Sequence, residues 1–246
     1  MRGWCPSKNM SLLEESPVLR EMLATGEIVG ATGERIKVRS QISLVFAEAL
    51  YRTVLQFQPR VVLEVGMAYG VSTLAILAAL QKLGSDGRLV SIDPHQTIYW
   101  HSGGLLNVSR AGLQSRHQWI GESDFLALPR LLAEGFQPGL AYIDGWHTFD
   151  YTLLDLYYID KMLGVGGVVG LNDCGFPAVH KAINFFLSHR RYEEITVGLP
   201  PVYSRKREIF RRLAGDFSAR GRRLCQDRYF KKLEVWEPTH DFFADF

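Results

Sequence analysis

Val61-Val-Leu-Glu-Val-Gly-Met-Ala-Tyr-Gly-Val-Ser72 is the stretch on which the fold turns. Val61 to Val65 is a short apolar run of strand length, and Ser72 to Lys82 carries a helical pattern. Between them, Gly66 and Gly70 let the backbone turn sharply and approach a ligand, while the N–H groups at the helix start suit a carboxylate. The spacing is Glu-x-Gly-x-x-x-Gly. It is not the Gly-x-Gly-x-x-Gly that packs a pyrophosphate against a helix in dinucleotide binders.

Downstream of this unit, strands and helices alternate. Further strands are expected at Arg88 to Asp93, Gln118 to Gly121, Leu140 to Asp144, Gly167 to Leu171, Tyr192 to Val197 and Tyr229 to Trp236. Helices are expected at Phe125 to Ala133, Tyr151 to Leu163 and Ala178 to Ser188. The alternation predicts a Rossmann-like, doubly wound α/β domain with a mostly parallel, seven-stranded sheet and helices on both faces. Upstream, Ser11 to Ala24 reads as a helix and Gly26 to Gly33 as a Gly-rich turn. From Gln41 to Phe57 apolar residues recur at three and four, and Pro59 ends that helix. Residues 1–58 thus read as an N-terminal helical cover and 59–246 as the main domain, with no internal repeat.

Composition narrows the function classes. At 47% hydrophobic and 22% charged residues, the chain has the balance of an ordinary globular protein. No stretch approaches the ~18 apolar residues of a membrane span, and the start lacks an apolar signal region, so no membrane insertion and a cytoplasmic location are expected. Cys5, Cys174 and Cys225 fit neither a disulfide framework nor a metal-binding pair and read as reduced thiols. The net charge of +2 conceals a basic segment, Arg205 to Lys232, with eleven Lys or Arg against three acids. It reads as a solvated face, and without a readout module no nucleic-acid partner is expected.

Two further strand ends carry candidate chemistry. Asp93, after the second strand, lies beside the glycine loop, where a carboxylate either accepts hydrogen bonds from two ribose hydroxyls or caps a turn. In Gly121-Glu-Ser-Asp124, Ser123 is placed to cap the next helix or to meet an adenine edge, with Asp124 accepting from the exocyclic amine. His95, His101, His117, His180, His189 and His240 show no partner pattern.

Over roughly residues 40 to 190 the chain resembles the class I methyltransferases of the catechol O-methyltransferase type and the small-molecule O-methyltransferases of antibiotic and sugar tailoring. The resemblance is carried by Leu63 to Ser72, Ile92-Asp-Pro94, Gly121 to Asp124, Tyr142-Ile-Asp-Gly-Trp-His147 and Gly166-Gly-Val-Val-Gly-Leu-Asn-Asp173. It implies S-adenosyl-L-methionine as cofactor, with Glu64, Gly66 and Ser72 at its methionine end beside Gly70, Asp93 at the ribose, and Ser123 with Asp124 at the adenine. It also implies that the sheet's last strand is antiparallel. Asp144, Asn172 and Asp173 match the family's Mg²⁺ ligands, although the pair reads Asn-Asp where the catechol enzymes read Asp-Asn. Such oxygen ligands suit Mg²⁺.

His147 stands where those enzymes place a lysine base, and imidazole suits proton removal near neutral pH. Trp146 reads as a substrate wall, a methionine contact or core. The expected activity is O-methylation of a small-molecule acceptor, with His147 and Asp144 catalytic, Asp144 also beside the cofactor, and a homo-oligomer left open. The alternatives are a metal-independent methyltransferase of the same fold, a nicotinamide-dependent oxidoreductase and a non-catalytic cofactor-binding protein. The helix from Gln41 and the aromatic end Trp236 to Phe246 are the candidate walls of the acceptor pocket.

Overall fold

A computed structural model describes residues 12–84, 86–199 and 226–246. The order is α1 (Leu12–Glu15), α2 (Pro17–Thr25), β1 (Glu27–Val29), β2 (Arg35–Lys37), α3 (Leu44–Phe57), β3 (Val61–Val65), α4 (Val71–Lys82), β4 (Arg88–Ile92) and α5 (Gly103–Arg110). It continues with β5 (His117–Ile120), α6 (Asp124–Ala133), β6 (Leu140–Ile143), α7 (Phe149–Met162), β7 (Val168–Leu171), α8 (Pro177–His189), β8 (Tyr192–Ile195) and β9 (Arg228–Lys232). Seven strands form one sheet in the order β5-β4-β3-β6-β7-β9-β8. β3 to β7 run parallel, and β9 is antiparallel to both its neighbours. The fold is the expected Rossmann-like α/β class, with its last strand reversed.

Period-two alternation divides the sheet between two cores. Val62, Leu89, Leu140, Tyr142 and Val168 face a cluster with α2, α3 and α4. Leu63, Val65, Val90, Ile92, Ala141, Ile143, Val169 and Leu171 face a second with α6, α7 and α8. Every residue of α4 from Val71 to Leu80 is buried, because α3 covers the side turned away from the sheet; a helix apolar all round belongs in such a place. The N-terminal cover therefore shares its core with the helix that carries the glycine loop.

Three expectations need correction. The helix read over Ser11 to Ala24 is split, because Pro17 starts a second helix after Ser16. The Gly-rich turn belongs to a hairpin, in which β1 pairs antiparallel with β2 and Gly30 N–H donates to Glu34 O at 2.9 Å, so the cover is not wholly helical. The helix read from Gln41 begins at Leu44, where Ser43 caps it by accepting from Phe46 N–H at 3.4 Å. Among the described residues, no helix is long and apolar enough to cross a membrane.

Candidate functional site

All five parallel strands end on one edge of the sheet, and the candidate residues gather there. Gly66 (φ +86°) and Gly70 (φ +87°) take left-handed conformations open to glycine. Ala68 between them also has positive φ, at +46°. Met67 and Ala68 donate their N–H groups to Asp93 Oδ2 at 3.1 and 2.9 Å, His95 N–H donates to Oδ1 at 2.8 Å, and Gln96 Nε2 donates to Oδ2 at 2.9 Å.

Asp93 is thus first a brace of the loop. A carboxylate has about four acceptor sites, and these donors leave it too little capacity for two ribose hydroxyls as arranged. It still lines a cavity. Glu64 is corrected more fully: it is completely buried and lines neither cavity described below, and its Oε2 accepts from Thr73 Oγ at 2.8 Å and Ser91 Oγ at 2.5 Å. Burial pushes its pKa up to about 7 against the hydrogen bonds of Ser72, Ser91 and Thr73. Glu64 ties the first turn of α4 to β4.

Two adjoining cavities open over this edge. One of about 340 Å³ is lined by Gly66, Asp93, Ser123, Asp124, Trp146 and Tyr151 among others. Ser123 sits at the N-cap of α6 without a side-chain capping bond, so its hydroxyl is not spent on the helix. Asp124 Oδ1 accepts from Phe125 N–H at 2.8 Å. Burial raises its pKa, and beside it burial and Asp124's charge hold the buried Asp155 well above the carboxylate range. The other cavity, about 500 Å³, is lined by Ile42, Tyr69, Ser72, Trp100, His147 and Phe176 among others. Ala68, Trp100, Asp144, Gly145 and Trp146 line both. Gly70 lines neither; it lies against Gly104. Trp146 is 63% exposed at the shared mouth, which excludes the core reading.

Asp144, His147, Asn172 and Asp173 come together as expected, in an arrangement the sequence did not foretell. His147 Nε2 lies 3.4 Å from Asp144 Oδ1 and 3.5 Å from Asp173 Oδ2, ion-pair distances without a well-aligned hydrogen bond. Asn172 Nδ2 donates to Asp144 Oδ1 at 2.9 Å, and Asn172 Oδ1 accepts from Asp173 N–H at 2.6 Å. The amide therefore turns its nitrogen toward the carboxylate and spends its oxygen on the backbone. Mg²⁺ needs oxygen donors in near-octahedral array. As arranged, the set expected for Mg²⁺ does not fit that ion: it offers two carboxylates with an imidazole nitrogen between them, and no group of three His, Cys, Asp or Glu forms a metal cluster among the described residues.

Burial lowers the pKa of His147, but the adjacent carboxylate of Asp144 and the charge of Asp173 outweigh it, and the net shift is upward. Burial raises the pKa of Asp144, against the neighbouring His147 imidazole and the hydrogen bond from Asn172. Phe176 meets the His147 ring edge to face at 5.5 Å and limits its rotation.

Of the two stretches expected to wall an acceptor pocket, only the first borders a cavity. Ser40, Gln41 and Ile42, just ahead of α3, line the larger cavity. Trp236 and Phe242 to Phe246 line neither; Phe246 stacks edge-on against Phe185, and Phe242 against His189, on α8. Most of the basic segment lies outside the described residues. Of its described cations, Arg228 pairs with Glu194, Lys231 with Glu193 and the buried Lys232 with Asp160. Cys174 is a buried thiol, raised by burial, while Cys5 and Cys225 lie outside the described residues. Gln96, Trp100 and the Gly103-Gly104 pair were missed; only the glycine doublet left a signal, as a place of close backbone approach.

A family model for a methyltransferase domain matches residues 63–174. No curated protein matches the chain. Among solved structures, it is similar to an O-methyltransferase from Bacillus cereus in complex with SAH, at 18% identity and a TM-score of 0.61 over 93% of each chain. It is similar also to the O-methyltransferase TomG from Streptomyces achromogenes, involved in tomaymycin synthesis and in complex with SAM, at 17% identity and a TM-score of 0.58 over 93% of this chain and 92% of that one. A SAH-bound methyltransferase from Podospora anserina aligns at 14% identity and a TM-score of 0.61, over 95% of this chain and all of its own. At such identities the likeness is one of fold. The family match is narrower and more specific: it runs from β3 to just past Asp173 and takes in the glycine loop and the cavity-lining strand ends, so that this stretch of the chain matches a methyltransferase domain.

Proposed function

We propose that the protein methylates a hydroxyl of a small molecule, with His147 as general base. The observation that carries this is the placement of His147: its imidazole lines the 500 Å³ cavity while two carboxylates flank Nε2. Carboxylates on one ring nitrogen hold the proton there and leave Nδ1 with the lone pair. Nδ1 then accepts the acceptor's hydroxyl proton as the oxygen becomes the nucleophile. S-adenosylmethionine, when bound, supplies an electrophilic methyl group on sulfur. Gly66, Ser72, Ser123 and Asp124 line the space for it, with Asp144 at the junction of the two cavities. Trp146 and Trp100 at that junction exclude water and hold the acceptor in line. The complexes of the Bacillus and Streptomyces enzymes with SAH and SAM support the cofactor.

Calorimetry tests the cofactor part directly. S-adenosylhomocysteine should bind and NAD should not, because the loop lacks the pyrophosphate glycines. NAD binding as tight as that of the adenosyl ligand would favour the oxidoreductase alternative.

The closeness of Asp144 and Asp173, both within 3.5 Å of one nitrogen, favours a second reading in which, with the imidazole turned aside, these two carboxylates would hold a divalent metal that would supply Lewis-acid stabilisation of the hydroxyl oxygen. Excess chelator separates the two. The imidazole reading expects methyl transfer to survive chelation within about twofold, whereas a metal-assisted reaction loses its rate and regains it with added Mg²⁺.

A further inference from the structure

Ala68 lines both cavities and holds a backbone conformation that side-chain-bearing residues avoid, at about 1–2 kcal/mol. Both polar groups of this residue are held by buried side chains. Its N–H donates to Asp93 Oδ2 at 2.9 Å, and its C=O accepts from Gln96 Nε2 at 2.7 Å. The same Gln96 nitrogen donates to Asp93 Oδ2 at 2.9 Å, so one amide links the two fixtures. Gln96 is fully buried, and its Oε1 accepts no hydrogen bond. A buried acceptor without a donor costs about 1–3 kcal/mol, so the stabilising part of this amide is its NH₂ group. Gly104 seals the arrangement from behind: a Cβ there would lie 2.7 Å from Ala68 O and 2.9 Å from Gln96 Oε1.

We propose that Gln96 is a positioning residue for the cofactor loop, holding Ala68 in its left-handed conformation so that the backbone of the loop faces the ligand space. The proposal rests on residues 66–72 being the cofactor loop. Gln96 touches neither cavity and acts through Ala68 and Asp93.

The test uses Gln96→Ala, Ala68→Gly and the double variant. In the ligand-free protein, Gln96→Ala should speed hydrogen–deuterium exchange of the peptide spanning Met67 to Gly70 by about tenfold, the equivalent of one lost buried hydrogen bond. Its Kd for S-adenosylhomocysteine should rise by a similar factor of about ten. Glycine takes positive φ without strain, so Ala68→Gly in the Gln96→Ala background should bring Kd back to within about threefold of wild type. A purely structural hole at position 96 would lower thermal stability, yet Ala68→Gly would not repair affinity. Unchanged exchange over 67–70 in Gln96→Ala, or a double variant that binds as weakly as the single one, overturns the proposal. Failure of wild type to bind S-adenosylhomocysteine would instead strike the cofactor-loop reading, while the exchange measurement still decides the role of Gln96.

Discussion

Replacing His147 by Ala should lower kcat by roughly 10²–10⁴-fold, the range for a positioned general base, and leave the Kd for S-adenosylhomocysteine near wild type. The separation follows from place: His147 lines the larger cavity and not the one bordered by Asp93, Ser123 and Asp124. A substrate screen with labelled S-adenosylmethionine supplies the acceptor, and single-turnover rates on both proteins then decide. A loss under about tenfold would mean that His147 only lines the pocket.

The pH dependence sharpens this expectation. Against burial, Asp144 and Asp173 raise the pKa of His147 above 6.5. A base must be neutral to work, so the wild-type rate should fall as pH drops through a pKa above 6.5, and His147→Ala should lack that limb. Asp173→Asn removes one raising charge and should move the limb to lower pH. Linkage gives the opposite sign for stability. A raised imidazole pKa contributes stability that is fully present below about 6.5 and is lost as pH rises through the folded-state value. Denaturant midpoints across that window should therefore decline more in wild type than in His147→Ala, while the rate climbs.

The centre of the sheet was readable because β3, β4, β6 and β7 are short, largely apolar runs buried on both faces and bounded by turns or helical patterns, whereas β5 at the edge, His-Gln-Trp-Ile, is only partly buried. Val61–Val65 and Arg88–Ile92 fall within a residue of their expected spans. What escaped was short or glycine-rich. β1 and β2 have three residues each, and α5 opens on Gly103-Gly104, which reads as a break until the close approach of Gly70 explains it. In the site, Asp144, His147, Asn172 and Asp173 could be gathered from sequence because adjacent strands β6 and β7 deliver them to one edge. The orientation of Asn172 could not be read, since it is set by two bonds, one received from Asp173 N–H and one given to Asp144 on the neighbouring strand end. Asp93 was read for its place at a strand end; the four donors that engage it come from two separate loops, and no local pattern announces their convergence.

Gly66→Ala should be the most damaging single methyl addition at this edge. The residue directly follows β3; its N–H donates to Ile92 O on one side at 2.9 Å, and Asp144 N–H donates to Val65 O on the other at 2.8 Å. A Cβ at position 66 would lie 2.1 Å from Asp144 O and 2.6 Å from its carbonyl carbon, both backbone atoms of the neighbouring strand. No side-chain rotation relieves such a contact; either β6 shifts or the loop leaves its path. The left-handed φ of +86° adds strain for any residue with a Cβ. Overpacking typically costs about 1–3 kcal/mol and the backbone conformation about 1–2 more, so a loss of about 2–5 kcal/mol is expected. Urea unfolding of the variant gives that number. The displaced Asp144 carbonyl carries its own side chain with it, so affinity for S-adenosylhomocysteine and catalysis should fall together, unlike in His147→Ala. A variant of wild-type stability and affinity would show that the strand end yields without cost, and the rigid approach of β3 to β6 would then be no part of what shapes the site.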